Sequence, residues 1–432
     1  MKKHLYISHV GPITGELNLD LRRYNFFIGP QSSGKSTIAK LISTLSWMEK
    51  EACITLSKDV LPANKGFVSY VEDYHRIHGY FCDESVVKYD SKYVTIVYEK
   101  GAYSLTLKKD AINYMRVKVS YVPSDRNVIT LRDIDKRELS ETNFRSFLFD
   151  WLEARRYYDS LHKAEVLNLD VKYYYDSRRI EYQDRITHHN GQTYEIALYD
   201  ASSGLQSAVP LVVLVTYLKG LYYENYGKEI SFESRDKRSD LALRLIELIL
   251  KPHVQSLEGE SLIDLYRRIE KEYQNGVNTY SEYLNNIYQT YYRLNNPQSI
   301  SYIIEEPEQN LFPTTQCDLM KYLVAACNVE GHNSSAVITT HSPYILAMIN
   351  NQILAGILLE KGADEFEVNK IIPLDSVLRP EEIGVYNVGG GTCKSILDRN
   401  TGMIEQNYLD TVSENNAAVF DKLYKLYVKS LR

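Results

Sequence analysis

The first 28 residues alternate between apolar and polar positions and then close on a continuous apolar run. Leu5, Ile7 and Val10 precede the turn Gly11-Pro12, and Leu17, Leu19 and Leu21 alternate with polar neighbours. That period predicts half-buried strands. Asn25-Phe26-Phe27-Ile28 stops at Gly29, as a buried parallel strand does when it feeds a loop. From Thr37 to Met48 the apolar spacing is helical. Strand-like runs return at Val94–Val97, Tyr103–Leu107 and Val117–Val122, and Lys100-Gly101 between the first two predicts a hairpin. Residues 137–165 read as helix. Residues 171–199 read as strands with Asn190-Gly191 as a hairpin turn, and 207–226 read as helix again. The stretch 235–297 is long, charged and helical, with Leu241, Leu245, Leu248 and Ile249 at helical spacing and Asn295-Asn296-Pro297 as its stop. It predicts a helical insertion or arm. Tyr302-Ile303-Ile304 then opens an alternation of strand, helix 313–328, strand 335–340, helix 343–352 and strand 354–359. Such alternation argues for a parallel sheet flanked by helices.

Composition narrows the class. The chain has 432 residues, 44% hydrophobic and 25% charged, with a formal net charge of -6, the balance of an ordinary globular protein. The longest apolar run, Ala208–Leu218, contains Pro210 and stops at Lys219. It falls short of the ~20 residues a membrane span needs, and the N-terminus carries no apolar signal-peptide core. Cys53, Cys82, Cys317, Cys327 and Cys393 lie far apart with no CxxC pair, which predicts reduced thiols and a cytoplasmic location. Mild acidity gives no global attraction to nucleic acid and leaves a local basic patch open. The 37 tyrosines include the clusters Tyr173-Tyr174-Tyr175 and Tyr291-Tyr292. Stacking platforms are one reading of them and packing of half-buried elements is the other.

The candidate chemistry begins at Gly29-Pro30-Gln31-Ser32-Ser33-Gly34-Lys35-Ser36-Thr37, which fits GxxxxGK[ST] between an expected strand and helix. Glycines let the backbone wrap a phosphate with its N–H groups inward, and the following helix adds its positive end. Lys35 would neutralise the β- and γ-phosphates, and the Ser36 hydroxyl would bind Mg²⁺. Further on, Tyr302-Ile303-Ile304 runs into Glu305-Glu306-Pro307-Glu308. A buried strand ending in adjacent acids places them at the carboxyl edge of the sheet, where ligands bind in open α/β folds. Glu305 would hold Mg²⁺ and Glu306 would polarise the attacking water. A solvated acidic turn is the plain alternative, and the upstream phosphate loop weighs against it. One strand later, Thr339-Thr340 ends at His341-Ser342-Pro343, where a histidine can reach the same edge and a γ-phosphate.

In this order the pieces resemble the ABC-type ATPases, within them the soluble SMC/Rad50-like branch, and most of all the predicted ATPases (AAA_15- or AAA_21-like) related to the ATPase half of OLD-family proteins. Many of those belong to bacterial anti-phage systems. The resemblance implies an α/β P-loop NTPase with an ABC-type head, a mixed sheet flanked by helices, plus a helical insertion. Gln309-Asn310-Leu311-Phe312-Pro313 matches the family's loop toward the opposite nucleotide, and His341 its switch histidine. Ser202-Ser203-Gly204-Leu205-Gln206 matches the signature Leu-Ser-Gly-Gly-Gln at Ser203, Gly204 and Gln206, with Leu205 replacing a glycine; a helix cap is the plain alternative. The strand end Tyr121-Val122-Pro123-Ser124-Asp125-Arg126 carries no glutamine where the family has its glutamine loop, and Asp125 or Arg126 is the stand-in there. The resemblance divides the chain into 1–234 (first ABC part with the signature motif, β-rich insert near 66–116), 235–297 (helical insertion or arm), 298–360 (second ABC part) and 361–432 (a packing or docking tail that includes Gly389-Gly390-Gly391 and helix-like Ala417–Leu431).

The resemblance further implies ATP and Mg²⁺ as ligands and a signature serine that caps ATP held by a second copy. The catalytic set would be Lys35, Glu306 and His341. The outcome is an ATP-sandwiched homodimer, in an anti-phage role with a separate protein effector or sensor. Four other readings remain at this stage. An OLD-like nuclease needs clustered acids, and no Asp-x-Asp follows Gly362. A scaffold that binds ATP without turning it over would not need the acid pair. A DNA-loading head would use Lys237, Arg238, Arg267, Arg268 and Lys271, among which acids intervene. A transporter subunit should show a glutamine loop and an Asp before the catalytic Glu.

Overall fold

A computed structural model describes residues 3–131, 134, 140–188, 194–226, 232–255, 257, 259–398, 400–405 and 415–425. In chain order the first part contains β1 (Lys3–Val10), β2 (Ile13–Leu21), β3 (Tyr24–Ile28), α1 (Lys35–Thr55), α2 (Phe67–His75), β4 (Phe81–Asp90), β5 (Val94–Glu99), β6 (Ala102–Leu107) and β7 (Val117–Val122). There follow α3 (Asn143–Arg155), β8 (Ala164–Glu165), β9 (Val171–Tyr175), β10 (Asp184–His188), β11 (Tyr194–Ala197), α4 (Ser203–Leu218) and α5 (Leu221–Asn225). The helices α6 (Phe232–Leu245), α7 (Leu262–Gln274) and α8 (Ser281–Asn295) lead to β12 (Ser299–Glu305), α9 (Pro313–Cys327), β13 (Ser335–Thr340), α10 (Pro343–Glu360), α11 (Glu365–Asn369), β14 (Ile383–Gly389) and β15 (Thr392–Ser395). The class is α/β.

The central sheet has the order β15-β14-β3-β13-β12-β7. The pairs β14–β3, β3–β13, β13–β12 and β12–β7 are parallel, and only β15 runs antiparallel. Every residue of β3 is buried, and β12 and β13 are nearly so, as expected of strands covered on both faces. On one face lie α3, α4, α9 and α10, with Trp151, Leu211, Leu323 and Ile349 in a common core. On the other, α1 is sandwiched between the central sheet and the antiparallel sheet β2-β1-β4-β5-β6. A third sheet, β11-β10-β9-β8, stands beside α3.

Several elements follow the sequence pattern. Lys100 and Gly101 both take positive φ, 52° and 74°, and close the β5–β6 hairpin, the geometry of a primed turn. The Asn190-Gly191 turn lies outside the described residues. Tyr173 is fully buried and donates to Asp184, so this tyrosine packs rather than forming a platform. Others differ. Residues 354–359, expected as a strand, are the last turns of α10. An apolar run of that length suits either element, and Gly356 lets the helix press against the Leu378 carbonyl, 2.2 Å from where a Cβ would stand. Of the expected helix over 137–165, residues 137–139 lie outside the described residues, and 140–165 are helical over Asn143–Arg155, capped by Thr142. The strand-rich insert also contains α2. Within the stretch read as a packing tail, β14 is an integral strand of the central sheet, paired with β3 from Ile383↔Tyr24 to Asn387↔Ile28. The segment 415–425 is helical and exposed.

The helices of 235–297 do not project as an arm. Leu241, Leu245, Leu265, Ile269, Ile287 and Leu294 are buried in one cluster with Leu41, Leu45 and Met48 of α1. Among the basic residues considered there, Arg268 is engaged by Glu260 at 2.8 Å, and the side chains of Lys237 and Arg238 lie outside the described residues. No helix among the described residues is long and apolar enough to cross a membrane. Leu245→Ala should destabilise the protein by about 2–5 kcal/mol, the usual cost of emptying a fully buried leucine site. The midpoint of urea unfolding reads this out, and an unchanged midpoint would show that α6 is not part of the core.

Candidate functional site

The parallel register brings the chemistry together. Ile28 pairs with Thr340, Thr339 with Glu305 and Ile304 with Val122. The loops that follow β3, β13, β12 and β7 therefore leave from one carboxyl edge, the place where open α/β sheets bind ligands.

The loop after β3 wraps tightly. Gly29, Ser32 and Gly34 have φ of 150°, 58° and 105°, conformations that suit glycine. A Cβ on Gly29 would stand 2.0 Å from the Val388 carbonyl oxygen, so β14 forms the loop's back wall. Gly34 begins α1 with no side-chain cap and no acid in the first turn. The first N–H groups of a helix have no intrahelical acceptor, which leaves this end suited to an anion. Ser33 Oγ is buried with no hydrogen-bond partner among the described residues. Lys35 is buried, and its Nζ donates to the Gly29 and Pro30 carbonyls at 3.0 and 2.8 Å. Burial lowers its pKa to about 8 against the opposing pull of Glu306, Glu308 and Glu305. Pro30, Gln31 and Ser32 are exposed on the rim, and Thr37 is buried in the first turn of α1.

The acids divide their tasks. Glu305 is buried, which raises its pKa, while Lys40, Tyr121, Ser36 and the Ser124 backbone N–H pull it back. Tyr121 Oη donates to its Oε1 at 2.5 Å. Ser36, at the start of α1, is thus one of the groups that favour the ionised form of Glu305 at the end of β12. Glu306 stands in the left-handed region, φ 44°, uncommon for a residue with a Cβ. Its N–H donates to the Thr339 carbonyl at 3.0 Å, and its Oε1 lies 3.1 Å from His341 Nε2. That bond, opposed by burial, holds its carboxyl below the ordinary range. Glu308 turns inward: its Oε1 accepts from the His341 N–H at 2.6 Å and from Thr340 Oγ1 at 2.9 Å, and burial raises its pKa.

The structure thus places Lys35, Ser36, Glu305, Glu306 and His341 in one cluster. Ser203, Gly204 and Gln206 sit apart from it at the start of α4. Ser202 caps that helix by accepting from the Leu205 N–H, Ser203 is exposed, and the Gln206 amide donates to the Tyr199 and Ala201 carbonyls. Gly204 is seated on the Asn310 carbonyl, where a Cβ would come within 2.8 Å. Asp125 is exposed and pairs with Arg76 at 3.2 Å, whereas Arg126 is entirely buried. Tyr121 and Glu308 carry no motif of their own. A tyrosine inside β7 gives no sign in sequence that it will meet a carboxylate 184 residues later.

The donors fit a hydrated Mg²⁺ beside a triphosphate. Such ions take one or two protein oxygens and draw the rest from phosphate and water, and Ser36 with Glu305 supplies a hydroxyl and a carboxylate. No cluster of three metal-ligating side chains exists among the described residues, and this kind of site needs none. A cleft of about 940 Å³ lies elsewhere, against Lys58–Phe67 and β5–β6. Phe67 there stacks on Tyr98 and Tyr103, so these rings are taken up by packing.

These features define an α/β P-loop fold. No family model and no curated protein matches the chain. Among solved structures it is similar to an SMC head domain from Thermotoga maritima (10% identity, 91% of this chain and 98% of that one, TM-score 0.35). It is also similar to the recombination mediator protein RecF (9%, 92% and 98%, TM-score 0.29) and to cbiO1 from Clostridium perfringens, part of an ABC transporter complex (11%, 91% and 88%, TM-score 0.24). At such identities and scores the residues of the site, not these likenesses, carry the functional assignment.

Gly29→Ala should cost about 1–3 kcal/mol, because the added methyl collides with backbone that cannot swing aside. Chemical denaturation measures it, and a midpoint equal to wild type would mean that the Val388 carbonyl does not wall the loop.

Proposed function

We propose that this protein is an ATP-binding and ATP-hydrolysing switch of the ABC type, in which two copies close head-to-tail around ATP. The observation that supports it most is the parallel register that brings the phosphate loop, Glu305 and the Glu306–His341 pair, 3.1 Å apart, to one carboxyl edge of the sheet. The loop N–H groups and the α1 N-terminus would cradle the phosphates. Lys35 would exchange its two loop carbonyls for phosphate oxygens. Ser36 and Glu305 would hold Mg²⁺, which when bound neutralises charge on the β- and γ-phosphates. Glu306, kept ionised by His341, is suited to accept the proton of an attacking water. His341 Nε2, 3.1 Å from Glu306 Oε1, would orient that carboxylate.

Ser203, exposed at the start of α4, is well placed for a nucleotide presented by another copy, and the helix end behind it adds positive potential. ATP would then stabilise association, and loss of the γ-phosphate would weaken it. The motifs' resemblance to SMC/Rad50/OLD-like ATPases supports a cytoplasmic role as the regulator of an anti-phage system with a separate protein effector or sensor.

Glu306→Gln should bind ATP, lose turnover by roughly 10²–10⁴-fold as expected for removal of a general base, and accumulate as a dimer. Lys35→Ala should bind no nucleotide. Steady-state ATPase assays with light scattering check both. Wild-type turnover in Glu306→Gln would remove the base role, and no ATP binding by the wild type would remove the whole reading.

A further inference from the structure

Arg126 has no solvent exposure, yet no carboxylate among the described residues pairs with it directly. Its guanidinium is spent on backbone carbonyls. Nε donates to Ser207 at 3.1 Å, Nη1 to Pro123 at 3.4 Å and Glu305 at 3.0 Å, and Nη2 to Glu306 at 2.9 Å and Pro307 at 3.2 Å. These five contacts use all five N–H groups of a guanidinium. The acceptors come from three separate segments: the turn after β7, the turn that carries the acids, and the second turn of α4. Burial lowers the Arg126 pKa to about 10, and Glu308, Glu306 and Glu305 oppose that shift.

Two further observations give this contact set a consequence. Glu306 occupies the left-handed region, and a non-glycine residue stays there only where its surroundings over-determine it. Its N–H is held by Thr339 and its carbonyl by Arg126. The direction of the Glu306 side chain is thus set in part by Arg126. In addition, α4 meets the same turn a second time: Asn310 Nδ2 donates to Ser207 Oγ at 3.3 Å, and Gly204 rests on the Asn310 carbonyl. A displacement of the α4 N-terminus therefore reaches the acids through Arg126 and through Asn310.

We propose that Arg126 is a positioning residue that ties the N-terminal half of α4 to the turn carrying Glu305 and Glu306, so that a nucleotide engaged by Ser203 of one copy sets the placement of that same copy's own acids. The idea rests on the ATPase reading above. In that reading each head senses the partner's nucleotide and answers with its own chemistry. A lysine cannot replace the arginine, because a single ammonium has three donors and cannot span three segments.

The test uses the full chain and compares wild type, Arg126→Lys, Ser203→Ala, Ser207→Ala and the double variant Arg126→Lys/Ser203→Ala. A fluorescent ATP analogue reports binding, and steady-state assays report kcat and KM. Arg126→Lys should keep the analogue's Kd within about threefold and lose at least about tenfold in kcat. The double variant should be no slower than Ser203→Ala by more than about twofold, since residues acting in one chain of contacts are non-additive. Ser207→Ala, which keeps the carbonyl that Arg126 binds and loses only the hydroxyl that Asn310 meets, should change kcat by no more than about twofold, and Arg126→Gln, read in the same assays, decides the matter if Arg126→Lys does not fold. Wild-type kcat in the decisive variant, parallel loss of binding and turnover, or additive losses in the double variant would each overturn the proposal. A wild type that fails to bind or hydrolyse ATP would instead overturn the ATPase reading.

Discussion

The arrangement depends on the register of four parallel strands. Because Ile28 lies level with Thr340 and Thr339 with Glu305, three loops leave the sheet side by side. Had β12 slipped by a single position, its side chains would have changed faces, and Glu305 would have lost its bond to Tyr121. The apolar faces of α1, α3 and α4 enforce that register by burying both sides of the sheet. The core is thus the device that aligns the site, and stability and chemistry are set by the same contacts.

Much of the site was legible because its parts are local. A phosphate loop announces itself through glycines, a lysine and a serine within nine positions, and the acids announce themselves by ending an apolar strand. The fold was harder to read where an apolar run fits two periods. Leu354–Leu359 continues α10, and only its close seat beneath Leu378 distinguishes the two possibilities. Ile383–Gly389 has glycines at both ends of a short run, a weak strand signal. Its membership in the sheet is decided by β3, a partner hundreds of positions away in the chain. α2 was hidden for a similar reason, since it lies between strand-rich stretches and has only a short amphipathic pattern.

Arg126 shows a different limit. The sequence marks it as a residue after a strand, one of two candidates to stand where a glutamine is usual. Its contacts are to carbonyl groups, which every residue has, so no side-chain pattern could have disclosed them. Tyr121 and Glu308 share this character. Each works through an atom whose partner is specified by topology, and topology emerges only when the whole sheet is assembled.

The pairing of β14 with β3 has an implication for how the protein is made. A nascent chain exposes Gly29–Thr37 early, but the backbone against which Gly29 rests belongs to Val388. During synthesis the loop lacks its rear support until that residue leaves the ribosome. Competence to grip a phosphate is thereby postponed until a strand about 350 positions later in the chain has been made and has paired with β3.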